Sequence, residues 1–367
     1  MKRMTRAAVL AAATAMVLAA CGAAPEEPAP GAEQPEQTSG TDAGGEESID
    51  YKACIVSDEG GFDDASFNEA AFNGLTQARD ELGIETAQAE SQAETDFVPN
   101  IDSMVNQDCD MVITVGFLLA DATLEAAEAN TETSFVLLDD SRDAENIKPV
   151  LFNTAEAAFL AGYLAAGYSQ TGTVATFGGL PIPPVTIFMD GFADGVAHYN
   201  EVKGADVQVL GWDKAAQSGE FVGNFSDIAA GQNLTRSFID AGADVILPVA
   251  GPVGSGAAAA AQEAGDVVFI GVDQDWFETA PEYQDVVLTS VLKQMGPAVF
   301  DIIAAAVDGG FDNETYVGTL ENGGVDISPF HNFDGEIDDE LKAEIDQLRQ
   351  DIIDGTVVVE SDASPQG

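Results

Sequence analysis

The sequence predicts an α/β protein of two doubly wound, Rossmann-like lobes joined by a hinge, and three observations carry that prediction. Short apolar runs alternate with stretches of helical spacing between residues 53 and 272, the pattern of parallel strands buried on both faces by helices. The alternation occurs twice, in two arrays of similar size. Roughly 320 residues follow the amino-terminal region, enough for two lobes with cores of their own.

The chain opens with Lys2, Arg3 and Arg6, followed by an uncharged, mostly apolar segment over residues 7–20 that ends Leu18-Ala19-Ala20-Cys21-Gly22. That segment falls short of the roughly 20 apolar residues needed to span a bilayer. A short basic region, a short apolar core and small residues at its end describe an export signal. The cysteine directly after the small residues resembles a bacterial lipoprotein signal, which implies that residues 1–20 are removed. Cys21 then becomes the diacylated amino terminus, lipid-anchored on the extracytoplasmic face of the cell membrane. An ordinary export signal with an incidental cysteine is the alternative. Residues 21–49 are rich in Pro, Glu, Ala and Gly with almost no large apolar side chain. Such a segment buries too little to offset its ordering entropy and reads as a disordered tether.

Charge is the abnormal quantity. The chain has 64 acidic and 13 basic residues, a formal net charge of −51, which becomes −54 once the three signal-segment cations are lost. A field of that sign disfavours nucleic acid and phosphorylated ligands. A solvated acidic surface suited to high salt accounts for it. Cys54 and Cys109 are the remaining cysteines. In an exported chain they are either bridged or two small buried hydrophobes, and a metal site would want more Cys or His.

The first unit is the most informative. An apolar run at 53–56 leads into Ser57-Asp58-Glu59-Gly60-Gly61-Phe62-Asp63-Asp64-Ala65-Ser66-Phe67-Asn68, then a helical pattern over 67–82. This is strand, glycine turn, helix, and ligands bind at such carboxyl ends of strands in open α/β sheets. The turn offers a carboxylate (Asp58), glycines for close approach, a helix cap (Asp64 or Ser66), an aromatic face (Phe67) and an amide (Asn68). A strand over 84–90, a helix over 97–105 and the apolar run 111–115 follow, the last ending at Gly116-Phe117. A helix over 119–129 leads to the strand 135–138, which ends at Asp139-Asp140, one facing the cleft and the other capping a loop. A strand at 150–152 and a small-residue helix at 155–167 complete the first array.

The second array has strands at 174–177, 207–210, 245–249 and 267–272, with helices at 185–199, 228–241 and 256–264. Its Gly251-Pro252-Val253-Gly254-Ser255-Gly256 turn lacks the spacing of a dinucleotide fingerprint and the lysine of a phosphate loop, so no cofactor is expected. Trp276 is placed to line the site or to close its mouth. Lobe boundaries are expected at 50–152 plus 273–308 for the first lobe, 153–272 plus 309–360 for the second, and 361–367 as a tail.

Several separated motifs occur in order: Ser57-Asp58, Gly60-Gly61, Asp63-Asp64, Ser66-Phe67-Asn68, the Thr-Ala-Glu-Ala-Ala-Phe-Leu-Ala-Gly run starting at Thr154, and Phe177-Gly178-Gly179. Gly191-Phe192, Gly242-Ala243-Asp244 with Pro248, Gly271-Val272-Asp273, and Leu288-Thr289-Ser290-Val291 with Lys293 follow. Together, over residues 51–359, they resemble the basic membrane protein family, lipid-anchored substrate-binding proteins of ABC transporters related to purine nucleoside receptors. The resemblance implies a type I periplasmic-binding-protein fold, no enzymatic activity, and an ABC permease and a purine nucleoside as partners. Carried over by motif, it implies that Asp58 accepts from base N–H groups and that Phe67 and Phe225 stack on the two faces of the base. It likewise implies that Asp139 and Asp273 take ribose hydroxyls beside Lys293, with Gly251 offering backbone near the sugar.

Plainer readings stand beside these: Phe67 as core, Phe225 as a loop aromatic filling a gap, Lys293 as an ordinary salt-bridged lysine. A receptor for a sugar or a signalling furanose would share the carboxylates without needing two facing rings. A metal-dependent hydrolase using Asp58, Asp63 and Asp64 would need catalytic partners that two histidines, His198 and His331, and no Gly-x-Ser-x-Gly elbow do not supply.

Overall fold

The apolar runs become the strands of two six-stranded sheets. The structure is a computed structural model describing residues 49–365. The expected signal segment, Cys21 and all but the last residue of the expected tether lie outside the described residues. Among the described residues no helix is long and apolar enough to cross a membrane.

In chain order the first lobe contains β1 (Lys52–Glu59), α1 (Phe67–Leu82), β2 (Glu85–Ser91), α2 (Phe97–Val105), β3 (Met111–Val115), α3 (Ala120–Ala129), β4 (Ser134–Leu138) and β5 (Ile147–Phe152). The second lobe begins with α4 (Thr154–Tyr168), β6 (Thr173–Gly178), α5 (Pro183–Lys203) and β7 (Gln208–Leu210). A small antiparallel hairpin follows, β8 (Trp212–Asp213) and β9 (Ser218–Gly219). The lobe continues through α6 (Ile228–Asp240), β10 (Val245–Val249), α7 (Gly254–Ala264), β11 (Val268–Asp273), the short α8 (Trp276–Thr279) and β12 (Val287–Lys293). The chain then runs through α9 (Met295–Val307), β13 (Tyr316–Gly318), β14 (Val325–Ile327) and α10 (Asp339–Ile353).

The first sheet has the order β13-β5-β4-β3-β1-β2, and the second has β14-β12-β11-β10-β6-β7. The two orders match strand for strand, so the lobes repeat one order of strands and differ in the direction of the last edge strand. All pairings in the first sheet are parallel, and in the second only β14 runs antiparallel, against β12. In both sheets the strand before the central turn has its carboxyl end beside that of its neighbour, which is why the polar residues after β1, β3, β4, β10, β11 and β12 can gather in one place. Cys54 in β1 and Cys109 before β3 are paired as a disulfide, their Cα atoms 6.0 Å apart and both side chains buried.

The structure corrects the expected path between lobes. The sequence assigns residues 273–308 to the first lobe, but β12 pairs with β11 and β14 and stays in the second sheet. The chain returns to the first lobe at α9, which packs on α1 where Gly74 meets the carbonyl of Gly296. The sequence assigns residues 309–360 to the second lobe, yet β13 is the edge strand of the first sheet, beside β5. Crossings therefore lie after Phe152, after Lys293 and between Gly318 and Val325 rather than near Asp273 and Asp308.

The second lobe is built on the α4–α5 contact. A Cβ placed on Gly162 would stand 2.1 Å from the Phe192 carbonyl oxygen, on Gly191 2.3 Å from that of Ala155, and on Gly195 2.0 Å from that of Phe159. Helix backbones touch there, and the obstructing atoms are carbonyls that no rotamer change can move. Replacing a helical glycine by alanine ordinarily gains about 1 kcal/mol of propensity, but overlap in a packed core costs about 1–3 kcal/mol. Overlap wins at this separation. At 2.0 Å from a backbone carbonyl the overlap sits at the severe end, a net loss of about 2 kcal/mol, so Gly195→Ala is expected to lower the melting temperature by about 4–8 °C. A thermal melt equal to or above that of the unaltered protein would contradict this packing.

Candidate functional site

The carboxyl ends of the two sheets face one cleft of about 560 Å³, counting its open mouth. Its wall includes Asp58, Phe67, Asn68, Phe117, Asp139, Phe225, Gly251, Asp273 and Lys293, all nine of the ligand-facing residues expected from sequence. Asp58 ends the buried part of β1. Asn68, in the first turn of α1, donates from Nδ2 to Asp58 Oδ1 at 2.9 Å and to Asp64 Oδ2 at 3.2 Å. Asp64 in turn accepts from the backbone N–H groups of Ser66, Asn68 and Glu69 at 3.0, 3.0 and 3.1 Å. It caps α1 from outside the helix, a job the sequence leaves between Asp64 and Ser66.

Ser66 is occupied elsewhere. Its hydroxyl donates to Asp273 Oδ2, 2.7 Å away on the opposite lobe. Gln274 donates to the Ser66 carbonyl at 3.0 Å and the Thr279 hydroxyl to the Ala65 carbonyl at 3.1 Å. A further interlobe tie is an ion pair between Lys293, at the end of β12, and Asp139, just after β4. The ammonium lies 4.8 Å from the centre of the Phe67 ring and 5.4 Å from that of Phe152, so its charge is flanked by aromatic faces. Asp139 and Asp273 occupy equivalent strands of the two sheets, and both have left-handed backbones, with φ of 67° and 70°. Aspartate tolerates that region better than most residues. Gly116 adopts φ 119°, and a Cβ there would stand 2.5 Å from Asp58 Oδ2.

Comparison with known proteins agrees with this architecture. The profile of the Bmp family, described as ABC transporter substrate-binding protein PnrA-like, matches residues 52–363. The chain belongs to this family. It is similar to the "ABC transporter nucleoside-binding protein BmpA" of Lactococcus lactis subsp. cremoris, 31% identical over 98% of this chain and 99% of the relative. "Basic membrane protein A" of Borreliella burgdorferi is 30% identical over 84% of this chain and 88% of the relative. Among solved structures, an ABC transporter solute-binding protein from Aeropyrum pernix K1 superposes with a TM-score of 0.76 at 24% identity, over 85% of this chain and 94% of that one. This Bmp-family chain is thus a substrate-binding protein of an ABC transporter with the two-lobed type I periplasmic fold.

Within the Bmp-family cleft the carboxyls are unusually placed for acids. Burial, with Asp64, Asp139 and Glu59 nearby, pushes Asp58 well above the ordinary carboxylate value in spite of the Asn68 hydrogen bond. Burial also raises Asp139, against the pull of Lys293. Asp273 is raised by burial to about 6, with Lys293 and the Ser66 hydroxyl opposing the shift. Buried carboxyls with one cation among them make a wall of acceptors.

The structure separates Asp139 from Asp140: Asp139 lines the cleft, while Asp140 pairs with Arg142 at 2.7 Å. Trp276 does neither thing expected of it. Its indole is 1% exposed, packs against Phe269 and donates to the Val272 carbonyl at 3.0 Å, so it is core. Phe225 lines the cleft and also sits tightly over Gly179, 2.3 Å from where a Cβ there would be. Sequence reasoning did not pick out the apolar wall from the second lobe, Ile182, Pro184, Val185 and Phe188. The signal was available: this loop follows β6 as the Asp58–Asn68 turn follows β1.

Asp273 supplies a pH test. A carboxyl raised on folding contributes stability that is complete below its unfolded value and is lost as pH rises through the folded one. For Asp273 the loss falls between about pH 4 and about pH 6. Asp273→Asn stays neutral throughout and retains an acceptor for Ser66. The variant's stability relative to the unaltered protein is expected to improve by on the order of 2–3 kcal/mol across that window. Urea titrations at several pH values would read it, and a difference independent of pH would contradict the burial argument.

Proposed function

We propose that this substrate-binding protein captures a neutral purine nucleoside between its lobes and delivers it to the permease of its transporter, held to the membrane by a lipid on Cys21. The observation that carries the reading is the composition of the cleft wall: buried carboxyls from both lobes and several phenylalanines, Phe67 and Phe225 among them, with Lys293 already paired to Asp139. A ligand suited to that wall brings several donors, a flat apolar face and no negative charge. A nucleoside has all three, with N–H groups on the base and vicinal hydroxyls on the sugar. Hydrogen bonds from hydroxyls to ionised carboxyls are about twice as strong as neutral ones. A nucleotide would bring its phosphate against uncompensated acids in a poorly hydrated space, where repulsion is screened least. The name of the Lactococcus lactis relative, a nucleoside-binding protein, supports the same class.

Each wall residue is given the role that the resemblance implies for it. Asp58 and Asn68 read the base edge, Phe67 and Phe225 cover the base, and Asp139, Asp273 and Lys293 hold the sugar near the backbone of Gly251. Phe117 closes the wall beside Gly116. No bond is made or broken in this account; a ligand touching both lobes favours the closed arrangement to the extent that it binds it better. The lipid anchor rests on the resemblance of the segment ending at Cys21 to a lipoprotein signal.

Titration calorimetry of the purified, ligand-stripped protein tests the reading. One-to-one binding of a purine nucleoside is expected, with ribose far weaker and the 5′-monophosphate silent. Asp58→Ala is expected to weaken binding about tenfold to a hundredfold. Absence of heat with every nucleoside, or equal binding of nucleoside and monophosphate, would overturn it.

A further inference from the structure

Asn68 is held in one orientation, and that has a consequence for selectivity. Its Nδ2 faces two carboxyl oxygens, Asp58 Oδ1 and Asp64 Oδ2. Turning the amide over would set Oδ1 against both. Asp64 cannot yield, because both its oxygens are engaged by backbone N–H groups at the start of α1. The Asn68 side chain therefore has only its oxygen left to offer. That oxygen is buried without a hydrogen-bond partner, in a residue 1% exposed that lines the cleft. An orphan acceptor of this kind costs roughly as much as a lost hydrogen bond unless a ligand supplies a donor.

Beside it, Asp58 has Oδ1 committed to Asn68 while Oδ2 stands over Gly116, where the missing side chain leaves it room. Asn68 Oδ1 and Asp58 Oδ2 are thus the two acceptors that this hydrogen-bonded pair leaves uncommitted while Asp58 is ionised. Resting on the nucleoside reading, we propose that Asp64, by fixing the Asn68 amide, makes the cleft selective for 2-amino-6-oxopurine nucleosides, and that one proton on Asp58 reverses the preference at N1 of the base. In such a base N1–H donates to Asp58 and the 2-amino group to Asn68 Oδ1. A 6-aminopurine has an acceptor at N1, which opposes an ionised Asp58 and needs the protonated acid as its donor. A 6-oxopurine without the 2-amino group satisfies Asp58 and leaves Asn68 Oδ1 unpaired.

The charges around Asp58 favour accessible protonation. Glu59 on its own strand, Asp64 before α1 and Asp139 after β4 all oppose its ionised form, as does its burial. Asp273 and Lys293 face the same cleft from the second lobe, the lysine engaged by Asp139. Asp64 acts as a positioning residue: it meets Asn68 rather than the base.

The test is the affinity of guanosine, inosine and adenosine for the protein between about pH 5 and about pH 9, a span over which buried carboxyls titrate. Guanosine is expected to bind more tightly than inosine throughout, by about tenfold. Inosine is expected to exceed adenosine by about tenfold to a hundredfold at the alkaline end, with that ratio falling as pH falls. In Asp58→Asn the amide oxygen can still accept from Asn68, leaving its N–H₂ where Oδ2 stood. That variant is expected to favour adenosine over inosine with a ratio independent of pH. A flat inosine-to-adenosine ratio in the unaltered protein, the same pH dependence surviving in Asp58→Asn, or inosine binding as tightly as guanosine would overturn the proposal while leaving nucleoside capture standing. Failure of all three nucleosides to bind at any pH would overturn both.

Discussion

Lys293 leaves the second sheet at its carboxyl edge, is 3% exposed, and finds its carboxylate on the first sheet, at Asp139. Removing one member of a buried pair strands the other, at about 3–5 kcal/mol. The arrangement therefore makes each lobe depend on the other for the charge that compensates its own. Ser66 and Asp273 repeat the device with a hydroxyl in place of the ammonium. Each lobe presents acids and relies on the other for the donors that make burying them tolerable. That dependence fixes where the cleft closes and what chemistry it has left over for a ligand.

What is left over is mostly acceptors. Asp58 has one oxygen uncommitted, Asn68 has its carbonyl, and the Asp139 and Asp273 carboxyls stand at the ends of equivalent strands in left-handed backbone conformations. The strain of those conformations is modest for aspartate, and it aims both carboxyls into one space. The same net acidity that keeps the surface solvated thus reappears inside the site as a filter on ligand charge. Glycines at the strand ends, above all Gly116, give the carboxyls the space they need.

Much of this was legible in the sequence because strong periodicity and turn chemistry agree there. The strand, glycine turn and helix from Lys52 to Leu82 read clearly, as did α2, whose Val98, Ile101, Met104 and Val105 fall at helical spacing, and β3, a short buried run with a single polar residue. The edge strands β13 and β14 have three residues each, too few for a period to show. β12 leads through a single residue into α9, so the crossing at Lys293 carries no turn residues to announce it. Trp276 beside Asp273 looked like a site residue, but the Val272 carbonyl satisfies its indole N–H and lets it be buried as core. Phe188 and its apolar neighbours have the spacing of an ordinary helix face, which hides a cleft wall. The tie between Ser66 and Asp273 joins residues 207 positions apart and exists only once two sheets face each other.

One ligand, on this reading, is held by groups from both lobes at once. Small-angle X-ray scattering of the ligand-stripped protein, with and without saturating guanosine, tests it most directly. A smaller radius of gyration is expected when the nucleoside is bound. Scattering profiles that superpose, under conditions where calorimetry shows the site to be full, would contradict it.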